Sequence, residues 1–366
     1  MTLTAKVKIC PTDKQTPLLS ATMDAYRDAC GYVSGHVFDT HDLTIRTLNE
    51  KLYRPLREKF GLKSQMAQSV IRTVIARYKS VLESEGKWIK VEFRKPQYDL
   101  VWNRDYSLTG NVFSVNTLSG RLKMSFHADA MEQYFDKRTY SFGTAKLVLK
   151  HGNWYLHIPV TFEVSDVKSS DIVNVVGIDR GINFTACCYD GKKTVFFSGR
   201  QYKQKRAHYN ALRKQLQMRK TPSARRRLLA IGQRENRWMQ DINHCISKAL
   251  VDSNPAGTLF VLEDLTGIRA ATERVLRKDR YVSVSWSFYD LEQKLNYKAK
   301  RAGMTVVKVS PAYTSQRCPV CGHTEKENRN SKKHIFTCRH CGYTSNDDRT
   351  AAMNLYSMGI DLLKAI

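Results

Sequence analysis

Four cysteines and three carboxylates are the residues of this chain whose types and spacing point to chemistry. Cys318 and Cys321 in CPVCGH, and Cys338 and Cys341 in CRHCGY, form two Cys-x-x-Cys pairs sixteen residues apart, the spacing of a four-cysteine zinc ribbon. Gly322 and Gly342 permit the tight turn that follows each pair, and four thiolates leave no open coordination position, so this zinc is structural. His323, His334 and His340 are the alternative ligands nearby. Among the carboxylates, Asp179 interrupts the apolar strand VVGID, with Gly177 two residues before it, and is expected mid-sheet with backbone close by, while Glu263 follows TLFVL at the carboxyl end of a second buried strand. A carboxylate at the end of a buried strand points into the crevice where open α/β sheets bind ligands, although pairing with Arg180 or a loop base explains either one alone. The third lies in NDDRTAAMNLY. A helix starting near Ser345 or Asn346 stacks Asp348, Ala351, Ala352 and Leu355 on one small, apolar face, whereas Asp347 falls on a more polar aspect with Thr350, Ala351 and Asn354. Asp348 is therefore expected to point inward, and Asp347 to face solvent or to support the helix N-terminus. Carboxylates from two strands and a helix suit two Mg²⁺ ions roughly 3.5–4 Å apart, the arrangement that hydrolyses phosphodiesters without a side-chain nucleophile.

The elements that must position these residues follow from periodicity. TAKVKIC alternates like a strand. Residues from 13 to 90 have helical spacing, with Ala67, Val70, Ile71, Val74 and Ile75 on one face, and are expected to form a bundle. Short alternating segments such as GNVFSV, GRLKMSF, TAKLVLKHG and NWYLHIPVTFEV then read as antiparallel β, a small barrel that the first strand can join, which makes the helical block an insertion. EVSDVKSSD reads as a linker. Beyond it, NVVGIDRG, INFTACCYDG and KKTVFFSG are three successive strands, followed by a long helical region over about 200–251, the strand GTLFVLED, the helix WSFYDLEQKLNYKAKRAG, the strand MTVVKVS, the cysteine region and a final helix. This is the element order of an RNase H-like sheet, shared with other mixed α/β folds.

The chain has 366 residues, of which 60 are Lys or Arg and 34 are Asp or Glu, a formal net charge of +26. That imbalance calls for a polyanionic partner, nucleic acid first. Thirteen Lys or Arg and a single acid, Glu235, lie between Arg200 and Gln240. Interleaved with Tyr202, Tyr209 and Trp238, they suit phosphates and stacked bases, with Lys205, Arg206, Arg213, Arg225, Arg226 and Arg227 as the candidate contacts. Lys63, Gln65 and Gln68 open an amphipathic helix and are candidates for reading base edges, or else an ordinary solvated helix start. The segment EKENRNSKKH between the cysteine pairs reads as an exposed loop that meets phosphates. MTLTAKVKICPTDKQ is no secretory leader, no apolar run reaches the roughly 18 residues of a membrane span, and Cys10, Cys30, Cys187, Cys188 and Cys245 suit reduced thiols. The expectation is a soluble cytoplasmic protein, associated with a prokaryotic nucleoid.

In order along the chain, VVGIDRGINFTACCYDG, FVLEDLTGI and YTSQRCPVCG with FTCRHCGYTSNDDRTAAMNLY resemble the three RuvC motifs and zinc ribbon of the TnpB family, transposon-encoded relatives of type V CRISPR effectors. The resemblance covers residues 140–366 well and the first 140 loosely. It implies an RNA-guided DNA endonuclease in which Asp179, Glu263 and Asp348 hold two Mg²⁺ and the four cysteines hold one Zn²⁺. It also implies an α/β multidomain architecture: a wedge β-barrel (1–12 and 91–168) with an inserted helical recognition bundle (13–90), an RNase H-like RuvC nuclease domain (172–312), a zinc ribbon (313–345) and a final RuvC helix (346–366). The implied partners are a guide RNA from the transposon end, one protein per RNA, and target double-stranded DNA beside a short flanking motif read by protein. The compact helical block departs from the pattern in the length of heteroduplex it can cover. All three carboxylates are present, which argues against a nuclease-dead repressor. A strand-transferring transposase and a non-catalytic nucleic-acid-binding protein are the alternative classes.

Overall fold

The computed structural model describes residues 1–136, 139–150, 152–232, 234–265 and 288–365; residues 266–268 of the FVLEDLTGI motif, 286–287 at the head of WSFYDLEQ, Gln233 and Ile366 lie outside the described residues. The chain divides into two units, Met1–Glu163 and Val164–Ile366.

In the first unit, strand β1 (Thr2–Cys10) precedes helices α1 (Gln15–Thr40), α2 (Ile45–Phe60) and α3 (Ser64–Glu85). Seven further strands follow: β2 (Tyr98–Leu100), β3 (Tyr106–Thr109), β4 (Val112–Thr117), β5 (Gly120–His127), β6 (Ser141–Phe142), β7 (Ala145–Lys150) and β8 (Asn153–Thr161). β1 lies between β5 and β8, antiparallel to both, in the order β2-β7-β8-β1-β5-β4-β3, with β6 on β8. The two ends of that path are tied by the 101–105 turn, where the Val101 carbonyl accepts the Asp105 and Tyr106 amides at 2.8 and 3.3 Å, so the sheet nearly closes on itself. Val7 and Ile9 of β1, Leu48, Leu52 and Leu56 of α2, and Val70, Ile71 and Val74 of α3 share one buried core with the inward residues of the sheet. Leu48, Leu52 and Leu56 recur every fourth residue and Val7 and Ile9 every second, as helix and strand geometry require. α2 and α3 end at Gly61 and Gly86, both at φ 63°, the left-handed conformation that stops a helix.

The second unit opens with β9 (Asn174–Asp179), β10 (Phe184–Tyr189) and β11 (Thr194–Ser198), followed by α4 (Arg200–Arg219), α5 (Pro222–Ile231) and α6 (Arg234–Asp252). β12 (Thr258–Glu263), α7 (Phe288–Arg301), β13 (Thr305–Val309), β14 (Arg329–Asn330), β15 (Ile335–Thr337), β16 (Thr344–Asn346) and α8 (Asp347–Lys364) complete it. The main sheet runs β11-β10-β9-β12-β13, antiparallel across β11, β10 and β9 and parallel across β9, β12 and β13. Val176, Ile178, Phe260 and Leu262 face α6 and α7, while Val175, Leu259 and Val261 face α8. The basic stretch is not one helix. Lys220 adopts φ 52°, Thr221 caps the next helix by accepting the Ala224 amide at 3.2 Å, and Pro222 occupies its first turn. EKENRNSKKH is mostly exposed, as expected, but is not wholly a loop: Arg329–Asn330 form β14 of a three-stranded sheet with β15 and β16, and Asn328 is buried. Among the described residues no helix is long and apolar enough to cross a membrane.

Candidate functional site

Strand alternation decides where the carboxylates go. Residues 175 and 177 of β9 and 259 and 261 of β12 face α8, so Asp179 and Glu263, the last residues of these strands, emerge on the same face. They also stand at the same level, one step beyond the Ile178–Leu262 register pair. Gly177 allows the close approach of α8: a Cβ there would collide with the backbone of Ala352 and Tyr356. At the start of that helix Asn346 accepts the Arg349 amide at 3.1 Å, and Asp348, Ala351, Ala352 and Leu355 are all buried on the sheet side. The Asp348 carboxyl comes within hydrogen-bonding reach of Asp179.

The electrostatics of the three groups reflect this crowding. Burial, followed by the charges of Glu263 and Asp348, pushes Asp179 well above the usual carboxylate range. Burial also raises Glu263, against the opposing hydrogen bond donated by the Thr314 hydroxyl and the charges of Arg180 and Arg329. Asp348 is raised by burial and by Asp347, and eased by Arg329, His334 and its contact with Asp179. Three acids that resist simultaneous ionisation in one crevice form a donor set whose charge a hard divalent cation would relieve. Arg180 eases Glu263 by its charge, but its ion pair is with Glu292. Its guanidinium donates to the Glu263 backbone carbonyl at 2.6 Å, to the Phe288 carbonyl at 3.3 Å and to Glu292 at 2.9 Å, pinning the ends of both strands to α7.

Asp347 sits in the first turn of α8 and supports the helix N-terminus, but it departs from the expected exposure. It is fully buried, not solvent-facing: Arg329 donates to it at 3.0 Å, His334 lies 3.6 Å away, and it accepts the Asp348 amide at 3.0 Å. Helical phase alone misplaced it because β14 and β15 cover that side of α8. Arg329 and Thr314 are site residues that sequence reasoning missed, since each reaches the carboxylates only through tertiary pairing. Asn183, in the turn after Asp179, meets the His334 ring at 2.7 Å and carries the network back to β9.

The four cysteine sulfurs lie within 4.8 Å of one another. Cys318 and Cys341 are 3.6 Å apart at Sγ, as are Cys321 and Cys338. Four sulfurs at ~2.3 Å from a tetrahedral zinc stand about 3.8 Å apart, so the set fits. Burial works against ionisation of Cys338, but the Cys341 and His340 amides outweigh it and bring this thiol down to about 6, while Cys321, despite the His323 amide, is pushed up to about 12 by burial and the neighbouring thiols, so the set shares negative charge that a bound cation would stabilise. Among the described residues this is the set of three or more potential ligands that converges so tightly; the carboxylates are more widely spread.

The candidate nucleic-acid residues separate. Lys205, Arg225, Arg226 and Arg227 are exposed, with the Lys205 ammonium 4.2 Å above the Trp238 ring. Arg206 is buried against Glu235 at 3.1 Å and Arg213 shares that carboxylate, so Arg206 joins α4 to α6 and leaves the exposed set. Lys63, Gln65 and Gln68 are half-buried at the start of α3, and Gln65 accepts a hydrogen bond from Arg104 at 2.9 Å.

The second unit is thus a mixed α/β sheet with an acidic crevice on one face and a four-cysteine clip beside it. Residues 157–266 match the family model described as "Probable transposase", and residues 288–355 the model "Cas12f1-like, TNB domain". A TnpB-like protein of Methanocaldococcus jannaschii is 31% identical over 208 residues, which are 55% of this chain and 73% of that protein. A CRISPR-associated endodeoxyribonuclease Cas12f1 of Sulfoacidibacillus thermotolerans is 32% identical over 237 residues, 59% of this chain and 53% of that protein. The chain therefore spans about half the length of that curated relative. The fold as a whole is similar to the protein in a solved Cas12f1–sgRNA–target DNA complex, with TM-score 0.60 and 13% identity over 97% of this chain and 98% of the other. The chain belongs to the TnpB family.

Proposed function

We propose that this chain is an RNA-guided DNA endonuclease. The observation that carries the reading is the gathering of Asp179, Glu263 and Asp348 at the carboxyl ends of two parallel strands and the start of α8. In this reading the β11-β10-β9-β12-β13 sheet is an RNase H-like RuvC domain, the nearly closed sheet of the first unit is a wedge, and α1, α2 and α3 are its inserted recognition bundle. Asp179, Glu263 and Asp348 would hold two Mg²⁺, and Cys318, Cys321, Cys338 and Cys341 one Zn²⁺. The chemistry such a pair of divalent ions supplies when bound is activation of water and neutralisation of charge at a phosphodiester. The chain's own residues keep the ligands in place: Thr314 orients Glu263, Arg180 fixes both strand ends, and Arg329, locked on Asp347, presents a cation toward the same crevice for a phosphate.

The family's Cas12f1 relatives, named endodeoxyribonucleases and seen with guide RNA and target DNA, support these partners. Base pairing would select the target, with one protein per RNA in the nucleoid. Lys63, Gln65 and Gln68 would read the flanking duplex, and Lys205, Arg225, Arg226 and Arg227 would hold phosphates. The test is to co-purify the chain with its RNA from cells, sequence that RNA, and assay cleavage of a matched duplex with randomised flanks in Mg²⁺. Asp348→Ala should abolish cleavage and spare RNA binding; cleavage near the parent rate would sink the assignment. The "Probable transposase" match keeps strand transfer as a second reading, distinguished by joined products instead of free ends.

A further inference from the structure

The turn between β13 and the first cysteine pair carries a side chain that the site as described does not use. Tyr313 has φ 63°, the left-handed region that bulky residues avoid, and its ring is 64% exposed. The turn around it is tightly restrained. Its carbonyl accepts the Gln316 and Arg317 amides at 2.9 and 3.0 Å, and Asn354 of α8 donates to the Thr314 and Arg317 carbonyls at 2.7 and 2.8 Å. Thr314 donates to Pro311 at 3.1 Å and to the Glu263 carboxylate, and Ser315 accepts from Arg329 at 3.1 Å. The Thr314 and Ser315 side chains beside Tyr313 are thus committed to Glu263 and Arg329, and the Thr314 and Arg317 carbonyls to α8. Among the described residues no hydrogen bond, ring stack or cation holds its ring. A glycine or asparagine would meet the backbone requirement with less strain, so neither the turn nor the core explains an aromatic side chain here.

We propose that Tyr313 is a substrate-positioning residue whose ring stacks on a nucleobase of the single strand that enters the carboxylate crevice, within a nucleotide or two of the phosphate to be cut. The inference rests on the nuclease reading above and deepens it. Tyr313 immediately precedes Thr314, which touches Glu263, and is two residues from Ser315, which touches Arg329. A phosphodiester at these groups would bring its flanking bases within reach of the turn that carries the ring. Stacking on an aromatic face is the sequence-tolerant contact that a guide-programmed enzyme needs at its cut site.

The test uses the full chain with its co-purified RNA and a matched duplex, natural or carrying one abasic nucleotide at successive positions around the cut. Tyr313→Gly should lower single-turnover cleavage of the natural duplex at subsaturating complex by about 5- to 100-fold. It should also raise Tm by about 2–6 °C through relief of the left-handed backbone. Tyr313→Phe should stay near the parent rate, and Tyr313→Asn should follow the glycine variant. At one abasic position the loss should vanish, because the base that the ring holds is already gone. Cleavage by Tyr313→Gly at the parent rate, an equal loss on natural and abasic duplexes at every position, or a lowered Tm would each overturn the proposal. If the parent cuts nothing, the nuclease reading fails. Quenching of a 2-aminopurine single-stranded DNA by the parent but not by Tyr313→Gly then still decides the role of Tyr313, and equal quenching by both refutes it.

Discussion

Asp179→Asn should make the protein more stable while destroying its chemistry. Burial and the neighbouring charges of Glu263 and Asp348 hold Asp179 well above the usual carboxylate range, so ionising it costs the native state free energy that the unfolded chain does not lose. Each tenfold change in an ionisation equilibrium is worth about 1.4 kcal/mol. The sign follows from linkage: with a raised folded-state value, the stabilising contribution is complete below the unfolded value near pH 4 and is lost as pH rises through the raised value. Asparagine keeps the shape, cannot ionise, and can donate the hydrogen bond to Asp348 that a protonated Asp179 donates. Without divalent cations the variant should be the more stable of the two at pH 8, with about 2–4 °C in Tm for each kcal/mol gained in a unit of this size. The gain should shrink toward zero near pH 4. Mg²⁺ should narrow or reverse the difference, since a ligand at a hundred times its Kd adds about 2.7 kcal/mol to the parent alone. Thermal melts across pH in chelator-free, Mg²⁺-depleted buffer, so that the cysteine clip keeps its zinc, provide the assay. An asparagine variant no more stable than the parent at pH 8, or a difference independent of pH, would refute the electrostatic account of this crevice.

Gly177→Ala should lower Tm by about 5–10 °C and remove cleavage together, because the new Cβ drives α8 and Asp348 off the sheet; unchanged melting would contradict the packing of α8 on β9. Elemental analysis should find one zinc per chain, lost in Cys338→Ser, and zinc removal should slow cleavage by freeing Arg329 and His334 from Asp347; full activity without zinc would separate clip from crevice. Lys205→Ala should weaken nucleic-acid binding and lower the salt slope by about one, whereas Arg206→Ala should cost stability, roughly 1–3 kcal/mol, because the buried Glu235 carboxylate keeps Arg213 but loses its buried partner, without a specific change in slope. Filter binding over a salt series beside thermal melts separates the two.

Local patterns made much of this structure legible. Ala67, Val70, Ile71, Val74 and Ile75 mark the buried face of α3 by spacing alone, and the two Cys-x-x-Cys pairs name their own partners. Asp348 was selected from its neighbour because Ala351, Ala352 and Leu355 fix the phase of α8. What escaped was set by partners distant in the chain. Asp347 reads as a surface residue until β14 brings Arg329 over it, and Arg206 reads as one more cation until α6 presents Glu235. Thr314 is an unremarkable hydroxyl in YTSQRC whose role appears only once its turn sits against β12. The break at Lys220 was present in KTPSARR as a cap residue followed by proline, a local signal outweighed by the uniform charge around it.

The place of β1 has a consequence for the order in which the first unit folds. Thr2 pairs with Thr161 and Lys8 with Tyr155 and His127, so the central strand of the sheet is synthesised first and finds its partners last. While α1, α2 and α3 form from nearby residues, β1 waits as an unpaired strand, the kind of segment that joins neighbouring chains into aggregates. Its sequence limits the hazard: Lys6 and Lys8 are exposed between Ala5, Val7 and Ile9, so one face of the waiting strand is charged. Replacing these two lysines with valine would leave the finished fold nearly intact and lower the yield of soluble chain.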